Sequence, residues 1–139
     1  MCGIAGFSGS YDQALLERMN AVMAHRGPDD SGVLIDEEHA IGLAHRRLSI
    51  IDVSSRGHQP MWDCTRTAAI VYNGEIYNFA ELRRQLITDG YEFHSQCDTE
   101  VILNRYLRDG EKMLESLNGI YAFAILGRIR CLLRAMGSA

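Results

Sequence analysis

The sequence predicts an α+β fold built on antiparallel sheet. Short apolar stretches typical of strands cluster towards the two ends of the chain, and a pair of helical patterns lies between them. Residues 119–126, GIYAFAIL, are almost wholly apolar, which is typical of a strand buried on both faces. Because strands and helices do not alternate strictly along the chain, the order favours antiparallel sheet over parallel sheet.

The first half of the chain begins with a short strand, CGIAGFSG, at residues 2–9. A helix capped by Asp12 is expected to run to about His25, and its apolar spacing predicts an inner face made of Leu15, Met19, Val22 and Met23. Two short apolar runs, residues 31–36 and 39–46, follow with a polar turn between them. They predict a β-hairpin.

The second half is expected to open with a loop over residues 54–66. The stretch TAAIVYNG then predicts a buried strand that ends in an Asn73-Gly74 turn. Asn78 and Glu81 have the spacing of a capping box, which starts a helix with Leu82, Leu86 and Ile87 inward. A third helix is expected to be capped by Asp98 or Thr99, and a short fourth helix to cover residues 112–117. The last stretch, residues 128–139, has only a weak strand pattern.

Size and charge narrow the classes of function. The 139 residues suit a single domain, and the net charge of -4 disfavours a nucleic-acid-binding surface. The chain has neither an apolar run of membrane-spanning length nor a signal-peptide pattern, so we expect a cytoplasmic protein without a membrane partner. The four cysteines are far apart in sequence, which predicts free thiols and no metal site.

Cys2 is the first candidate for chemistry. If Met1 is removed, the Cys2 thiol and its own α-amino group belong to one residue, so that each can modulate the other. The thiolate can then act as a nucleophile with the amine as its general base. Taken alone, however, Cys2 is better explained as a small buried strand residue, since cysteine packs as a small hydrophobe.

Three other segments carry polar groups suited to amide hydrolysis. Asn73 and Gly74 offer a side-chain amide and an accessible backbone N–H for an oxyanion, although an Asn-Gly turn explains them equally well. In AHRRLSIID the two adjacent arginines point to opposite faces of a strand, so one turns inward and could bind a carboxylate. Arg46 is expected to be a solvated charge on an edge strand.

Asp98 is most simply a helix N-cap, or a partner for a substrate ammonium group. For Arg26, Asp29 and Asp30 we expect a structural ion pair.

Taken together, seven segments resemble the class II glutamine amidotransferases, and most closely the glutaminase domain of glutamine-hydrolysing asparagine synthetases. They are, in order, MCGI, HRGPDDSG, AHRRLSIID, QP, NGEIYN, CDTEV and LNGIYAFA, and they cover residues 1 to about 126. The resemblance implies an N-terminal nucleophile hydrolase fold, a four-layer αββα sandwich of two antiparallel sheets. It also implies glutamine as the substrate, and glutamate and ammonia as the products.

The resemblance also implies a role for individual residues. Cys2, freed of Met1, would be the nucleophile and its amine the base, with Asn73 and Gly74 as the oxyanion hole. Arg47 would bind the glutamine α-carboxylate, and Glu75 and Asp98 its α-amino end. Backbone groups around Ile50 and Ile51 would line the pocket.

The chain departs from the resemblance in two places. It has no SGGxDS-type motif, so ATP and Mg²⁺ are expected only for an absent synthetase domain, and the glutaminase half needs no cofactor. Ammonia would pass to a synthetase domain or subunit. After YAFAIL the expected continuation is replaced by GRIRCLLRAMGSA, so we expect domain 1–139 to be incomplete at its C-terminal end, with an open sheet edge that promotes homo-oligomers.

Two alternatives stay open at this point. The chain can be a truncated, non-catalytic amidotransferase-like module, or a subunit that supplies ammonia to another acceptor such as a sugar.

Overall fold

The computed structural model describes residues 2–49, 55–127 and 131–137. These residues form seven β-strands and three α-helices. The strands are β1 (Gly3–Ser8), β2 (Asp30–Asp36), β3 (Ile41–Arg47), β4 (Met61–Trp62), β5 (Ala68–Ile76), β6 (Gly119–Gly127) and β7 (Cys131–Met136). The helices are α1 (Gln13–Val22), α2 (Phe79–Thr88) and α3 (Asp98–Asp109), with 3₁₀ helices at Ser55–Gly57 and Gly110–Ser116.

The first sheet is antiparallel and has the order β1-β3-β2. Strands β2 and β3 form the hairpin that the sequence predicted, with Asp30 opposite Arg47. Strand β1 pairs with the other edge of β3, so that Gly3 lies opposite Arg46. Strand β3 is therefore central in this sheet, and the end that carries its arginines lies beside the start of β1.

The second sheet is also antiparallel and has the order β4-β5-β6-β7. Strands β5 and β6 pair along nine residues each, from Ala68 opposite Gly127 to Ile76 opposite Gly119. The apolar stretch in β6 is largely buried from Tyr121 onward, as expected, because it has β5 and β7 on either side and packed layers on both faces. Ile120, near its start, is exposed. The weak pattern near the C-terminal end does form a strand, β7.

The two sheets pack face to face, and helices cover their outer sides. Ile41 and Leu43 of β3 meet Val71, Ala124 and Leu126 of the second sheet in one apolar cluster. Helix α1 contacts the three strands of the first sheet, and a larger core lies between the second sheet and the segment that holds α2, α3 and residues 110–116. The order of layers is αββα, which confirms the fold that the resemblance implied.

Strand periodicity then fixes which side chains enter the space between the sheets. On β3, His45 and Arg47 share the face of Leu43, which looks towards the second sheet. On β5, Asn73 shares the face of Val71, which looks back towards the first sheet. Tyr72 lies on the opposite face of β5, in the core beneath the helices.

Several local predictions were wrong, and each failed for a tertiary reason. Helix α1 buries Leu16 and Asn20, whereas Val22 is 76% exposed, because the face that meets the sheet is rotated from the one inferred. Asp12 does cap α1, by accepting from the Leu15 N–H at 2.7 Å. On α2, Ile87 is exposed while Leu82 and Leu86 are buried as predicted.

Asn78 does not form the predicted capping box. It precedes α2 without a side-chain cap, because its amide is engaged elsewhere. The amide donates to the Ser116 carbonyl at 2.9 Å and accepts from the Asn118 N–H at 3.0 Å. Asn78 thereby ties the start of α2 to the segment that leads into β6.

Candidate active site

The Cys2 thiol lies just before β1 and is half-buried against the chain that leaves β3. Its sulfur accepts from the Leu48 N–H at 3.4 Å and lies 3.9 Å from the Leu48 carbonyl oxygen. The carbonyl of Cys2 accepts from Nε of Arg26 at 3.3 Å, so Arg26 holds the start of the chain. The expected ion pair with Asp29 or Asp30 was wrong, because Asp29 accepts from the Ser49 N–H and Asp30 contacts His58. The candidate nucleophile is therefore fixed directly beside the residue that follows Arg47.

Arg47 ends β3 and is only 8% exposed. A methyl group added at Gly57 would lie 2.2 Å from a terminal nitrogen of the Arg47 guanidinium, so the guanidinium packs on the backbone of the Ser55–Gly57 turn. Arg46 points to the other face of the sheet, as the alternation predicted. Its expected solvation was wrong, because β3 is a central strand and the Arg46 Nε donates to the Asn20 carbonyl of α1 at 3.0 Å.

Asn73, Gly74 and Glu75 lie inside β5 and do not form the predicted turn. They pair with Ala122, Tyr121 and Ile120 of β6, respectively. A side chain at Gly74 would meet the Ile120 carbonyl oxygen at 2.4 Å, so the close approach of β6 requires glycine here. Asn73 is half-buried on the inter-sheet face, whereas Gly74 and Glu75 are exposed.

Asp98 is the first residue of α3, and Cys97 occupies the N-cap position. The interpretation of Asp98 as the cap is therefore wrong. One of its carboxylate oxygens, Oδ2, accepts from the Tyr72 hydroxyl at 2.6 Å and from the Ile76 N–H at 3.3 Å. These two donors lie on either side of Asn73–Glu75. Burial raises the pKa of Asp98, although both hydrogen bonds oppose the shift.

Gln59 belongs to the QP segment and has no role predicted from the sequence, yet it connects β5 with the start of α3. Its Oε1 accepts from the Tyr72 N–H at 2.6 Å, and its Nε2 donates to Oγ1 of Thr99 at 3.3 Å. Its backbone lies against Gly32 of β2, where an added methyl group would meet the Gln59 carbonyl at 2.1 Å. A sequence pattern gives no sign of these contacts, since their partners lie 13 and 40 residues away.

His45 is a second residue that the sequence did not single out. It is 1% exposed, and within the described part of the chain neither ring nitrogen forms a hydrogen bond of ordinary geometry. Burial lowers the pKa of His45 to about 4, although the Tyr72 backbone and the charge of Asp30 favour the protonated ring. A neutral imidazole thus lies two residues from Arg47 on the same face of β3.

The structure brings the predicted site residues together in two groups. Cys2 and Arg47 lie at one end of the first sheet. Asn73–Glu75, on β5 of the second sheet, lie close to Asp98 at the start of α3. Strands β1 and β3 both contact β5, so the two groups lie on facing strands. The predicted pocket residues Ile50 and Ile51, and Met1, lie outside the described residues.

The described residues carry neither a metal-ligand cluster nor a membrane-spanning helix. Within residues 2–49, 55–127 and 131–137 there is no group of three or more His, Cys, Asp or Glu side chains placed to hold a metal ion. Of the helices in those same ranges, none has the length and apolar character needed to cross a membrane.

Comparison with known proteins identifies the sequence family. The profile of the glutamine amidotransferase domain matches residues 1–135. Asparagine synthetase (glutamine-hydrolyzing) 3 of Bacillus subtilis is 41% identical over 97% of this chain, and the match covers 23% of that protein. The nodule asparagine synthetase (glutamine-hydrolyzing) of Pisum sativum is 39% identical over 91% of the chain, which corresponds to 22% of its length. The chain therefore spans less than a quarter of these relatives.

A solved structure supports the fold independently. Glutamine phosphoribosylpyrophosphate amidotransferase from B. subtilis, complexed with ADP and GMP, superposes with a TM-score of 0.77 over 95% of this chain and 36% of its own chain. At 18% identity that likeness establishes the fold, and the sequence matches establish the family. The chain belongs to the class II glutamine amidotransferases.

Proposed function

We propose that this chain is the glutaminase part of an asparagine synthetase-type amidotransferase. It hydrolyses the side-chain amide of glutamine to glutamate and ammonia, through a thioester on Cys2. The observation that carries the proposal is the position of the Cys2 sulfur, 3.4 Å from the backbone nitrogen that follows the buried Arg47. A nucleophile beside an inward cation suits a substrate that carries a carboxylate at one end and a reactive amide at the other.

Each step of the proposed reaction uses groups of this chain. With Met1 removed, the α-amine of Cys2 takes the thiol proton, and the thiolate attacks the amide carbon. The Asn73 amide and the Gly74 N–H stabilise the oxyanion. The C–N bond breaks as the amine returns the proton to the departing ammonia. Water then cleaves the thioester, which releases glutamate and restores the thiol.

The substrate is held by its amino-acid end. Arg47 pairs with the α-carboxylate, since a planar guanidinium matches a carboxylate in a bidentate way. Glu75 and Asp98 meet the α-ammonium group. Ile50 and Ile51, outside the described residues, complete the proposed pocket through their backbones.

The acceptor of the ammonia belongs to the proposal as well. The named relatives are synthetases more than four times as long as the region they share with this chain, so we propose that a synthetase domain or subunit receives the ammonia. ATP and Mg²⁺ chemistry would belong to that partner, and the glutaminase part, taken as domain 1–139, would need no cofactor. The cytoplasmic location and the self-association expected from the sequence stay predictions.

The test combines intact mass with glutaminase assays on the purified chain. Mass shows whether Met1 is gone, and release of ammonia and glutamate from glutamine shows turnover. Cys2→Ala is expected to lower turnover at least about 1,000-fold, since it removes the nucleophile. The matched control is Cys64→Ala, because Cys64 is also a free cysteine but is exposed and lies outside the site. Full ammonia release by Cys2→Ala would refute the proposal.

A second pair of variants separates binding from chemistry. Arg47→Ala is expected to raise KM for glutamine roughly 10- to 100-fold, as expected for loss of a hydrogen-bonded charge pair. Arg46→Ala removes the neighbouring arginine from the opposite face of β3 and is expected to leave KM unchanged. Equal KM changes in the two variants would contradict the assignment of Arg47. A folded chain that releases no ammonia would favour the non-catalytic alternative.

A further inference from the structure

We propose that the Tyr72 hydroxyl and the Gln59 side-chain amide are positioning groups that fix Asp98 relative to Asn73 and Gly74, and so determine how strongly the site selects substrates with an α-ammonium group. This inference rests on the proposed function, because it assumes that glutamine binds with its amino end at Asp98. It adds two residues to the site that act on the substrate through Asp98.

The first link runs from β5 to the carboxylate itself. Tyr72 is 4% exposed, its ring packs in the core beneath the helices, and its hydroxyl is 2.6 Å from Oδ2 of Asp98. Burial and the Asp98 charge raise the pKa of Tyr72, so the phenol stays protonated and remains a donor at any working pH. The Ile76 N–H donates to the same oxygen at 3.3 Å. With Oδ2 held by two donors from β5, the direction of the second oxygen is fixed as well.

The second link joins the same two elements by another route. Gln59 accepts from the Tyr72 backbone N–H at 2.6 Å and donates to the Thr99 hydroxyl at 3.3 Å. It thus connects the residue before Asn73 with the residue after Asp98. Gln59 and Thr99 are both buried, where a lost partner leaves a polar group without water to replace it. The geometry between β5 and the start of α3 is therefore held at two points.

Both links affect the distance that glutamine must span. Its reacting amide lies at Cys2 and the oxyanion groups of β5, while its ammonium group must meet a carboxylate carried by α3. If α3 could shift relative to β5, glutamine could bring its ammonium group to Asp98 only by moving its amide away from Cys2. Loss of the links should therefore weaken use of glutamine much more than use of glutaramate, the same acid amide without the α-amino group.

The central variant is Tyr72→Phe, which removes one hydroxyl and keeps the ring. We expect kcat/KM for glutamine to fall roughly tenfold while that for glutaramate changes less than about twofold. The acidic limb of the pH profile for glutamine should also move to higher pH, since Asp98 loses a donor that favours its charged form. Tyr121→Phe is the matched control, because Tyr121 is equally buried in the same core but lies on β6. It should change neither the preference for glutamine nor the pH profile.

Thr99→Val tests the second link with little change of shape. As with Tyr72→Phe, we expect the preference for glutamine over glutaramate to fall. The fall should be roughly threefold, because only one contact of Gln59 is removed. Melting temperatures close to wild type would show that each variant is folded. An equal fall for both substrates, or an unchanged preference in folded Tyr72→Phe and Thr99→Val, would overturn the inference.

Binding measurements separate this inference from the proposed function. In the Cys2→Ala background, calorimetry gives the Kd values of glutamine and glutaramate without turnover, with and without Tyr72→Phe. A preference for glutamine that disappears with Tyr72→Phe supports the positioning role even if the wild-type chain releases no ammonia. Absence of glutamine binding in the Cys2→Ala chain would overturn both proposals.

Discussion

The buried imidazole of His45 predicts a loss of stability in mild acid. In the unfolded chain this histidine takes up a proton near its ordinary pKa of 6.5, whereas in the folded protein burial lowers the pKa of His45 to about 4. Between these two values the unfolded state binds more protons than the folded state, so stability falls as the pH falls. At about 1.4 kcal/mol per pH unit, the interval corresponds to a loss of about 3 kcal/mol in the free energy of unfolding.

The charged groups around His45 act in both directions. Asp30 favours the imidazolium, while Arg47 and His58 disfavour it, and desolvation outweighs all three. Asp98 has the opposite linkage, because its raised folded pKa makes the folded state bind more protons as the pH falls. A pH series on the wild-type protein alone would therefore mix several groups.

The variant His45→Leu isolates the effect of His45. It removes the titrating group and two nitrogens that lack hydrogen bonds within the described chain, in a nearly isosteric way. Denaturant unfolding, followed by the fluorescence of the single tryptophan, Trp62, gives the free energy of unfolding at each pH. The variant should gain about 3 kcal/mol relative to wild type between about pH 7 and about pH 4.

The control for that measurement is His39→Gln. His39 is exposed, and the carboxylate of Asp36, 2.8 Å away, raises its pKa. Its contribution has the opposite sign, since it is present below the unfolded pKa of 6.5 and is lost as pH rises through the folded value. Parallel pH curves for wild type and His45→Leu would refute the reasoning.

Two further predictions concern packing. Gly57→Ala places a methyl group 2.2 Å from the Arg47 guanidinium, so KM for glutamine should rise with little change in kcat. The control is Gly90→Ala, at φ +90° with open space around it. It should lower the free energy of unfolding by about 1 kcal/mol without changing KM. Leu16→Ala removes a fully buried side chain of α1 and should lower the free energy of unfolding by about 3 kcal/mol. Val22→Ala, on the exposed face of α1, should change it by less than about 0.5 kcal/mol. Denaturant titrations measure both values. An equal KM change in the two glycine variants, or equal stability losses in the two helix variants, would contradict these predictions.

Local pattern was enough for most of the elements and for the opposite faces of Arg46 and Arg47. The β2–β3 hairpin and the buried β6 follow from short apolar runs, and the inward turn of Arg47 follows from alternation along its strand. The position of a strand within its sheet does not. Arg46 was misjudged because β3 pairs with both β1 and β2, and nothing within β3 records its second partner.

The same limit applies to Asn73 and Gly74. The dipeptide is a strong turn signal in isolation, yet here the ladder with β6 carries the strand through it to Ile76. Glycine is needed at this point because β6 approaches the backbone closely, a cause that lies 46 residues further along the chain. Their place in the candidate site stays a prediction, while the predicted turn was wrong because both residues lie inside β5.

Asp98 shows why the site needed tertiary information. A carboxylate at the start of a helix is expected on capping grounds, whatever else it does, so its sequence position cannot distinguish a cap from a ligand group. In the structure Cys97 occupies the N-cap position, and Oδ2 of Asp98 accepts from the Tyr72 hydroxyl of β5. The ring of Tyr72 is part of the core and its hydroxyl contacts Asp98, so the packing beneath the helices and the direction of the Asp98 carboxylate depend on one side chain. Substitutions that shift that core should therefore alter glutamine selectivity before they unfold the protein.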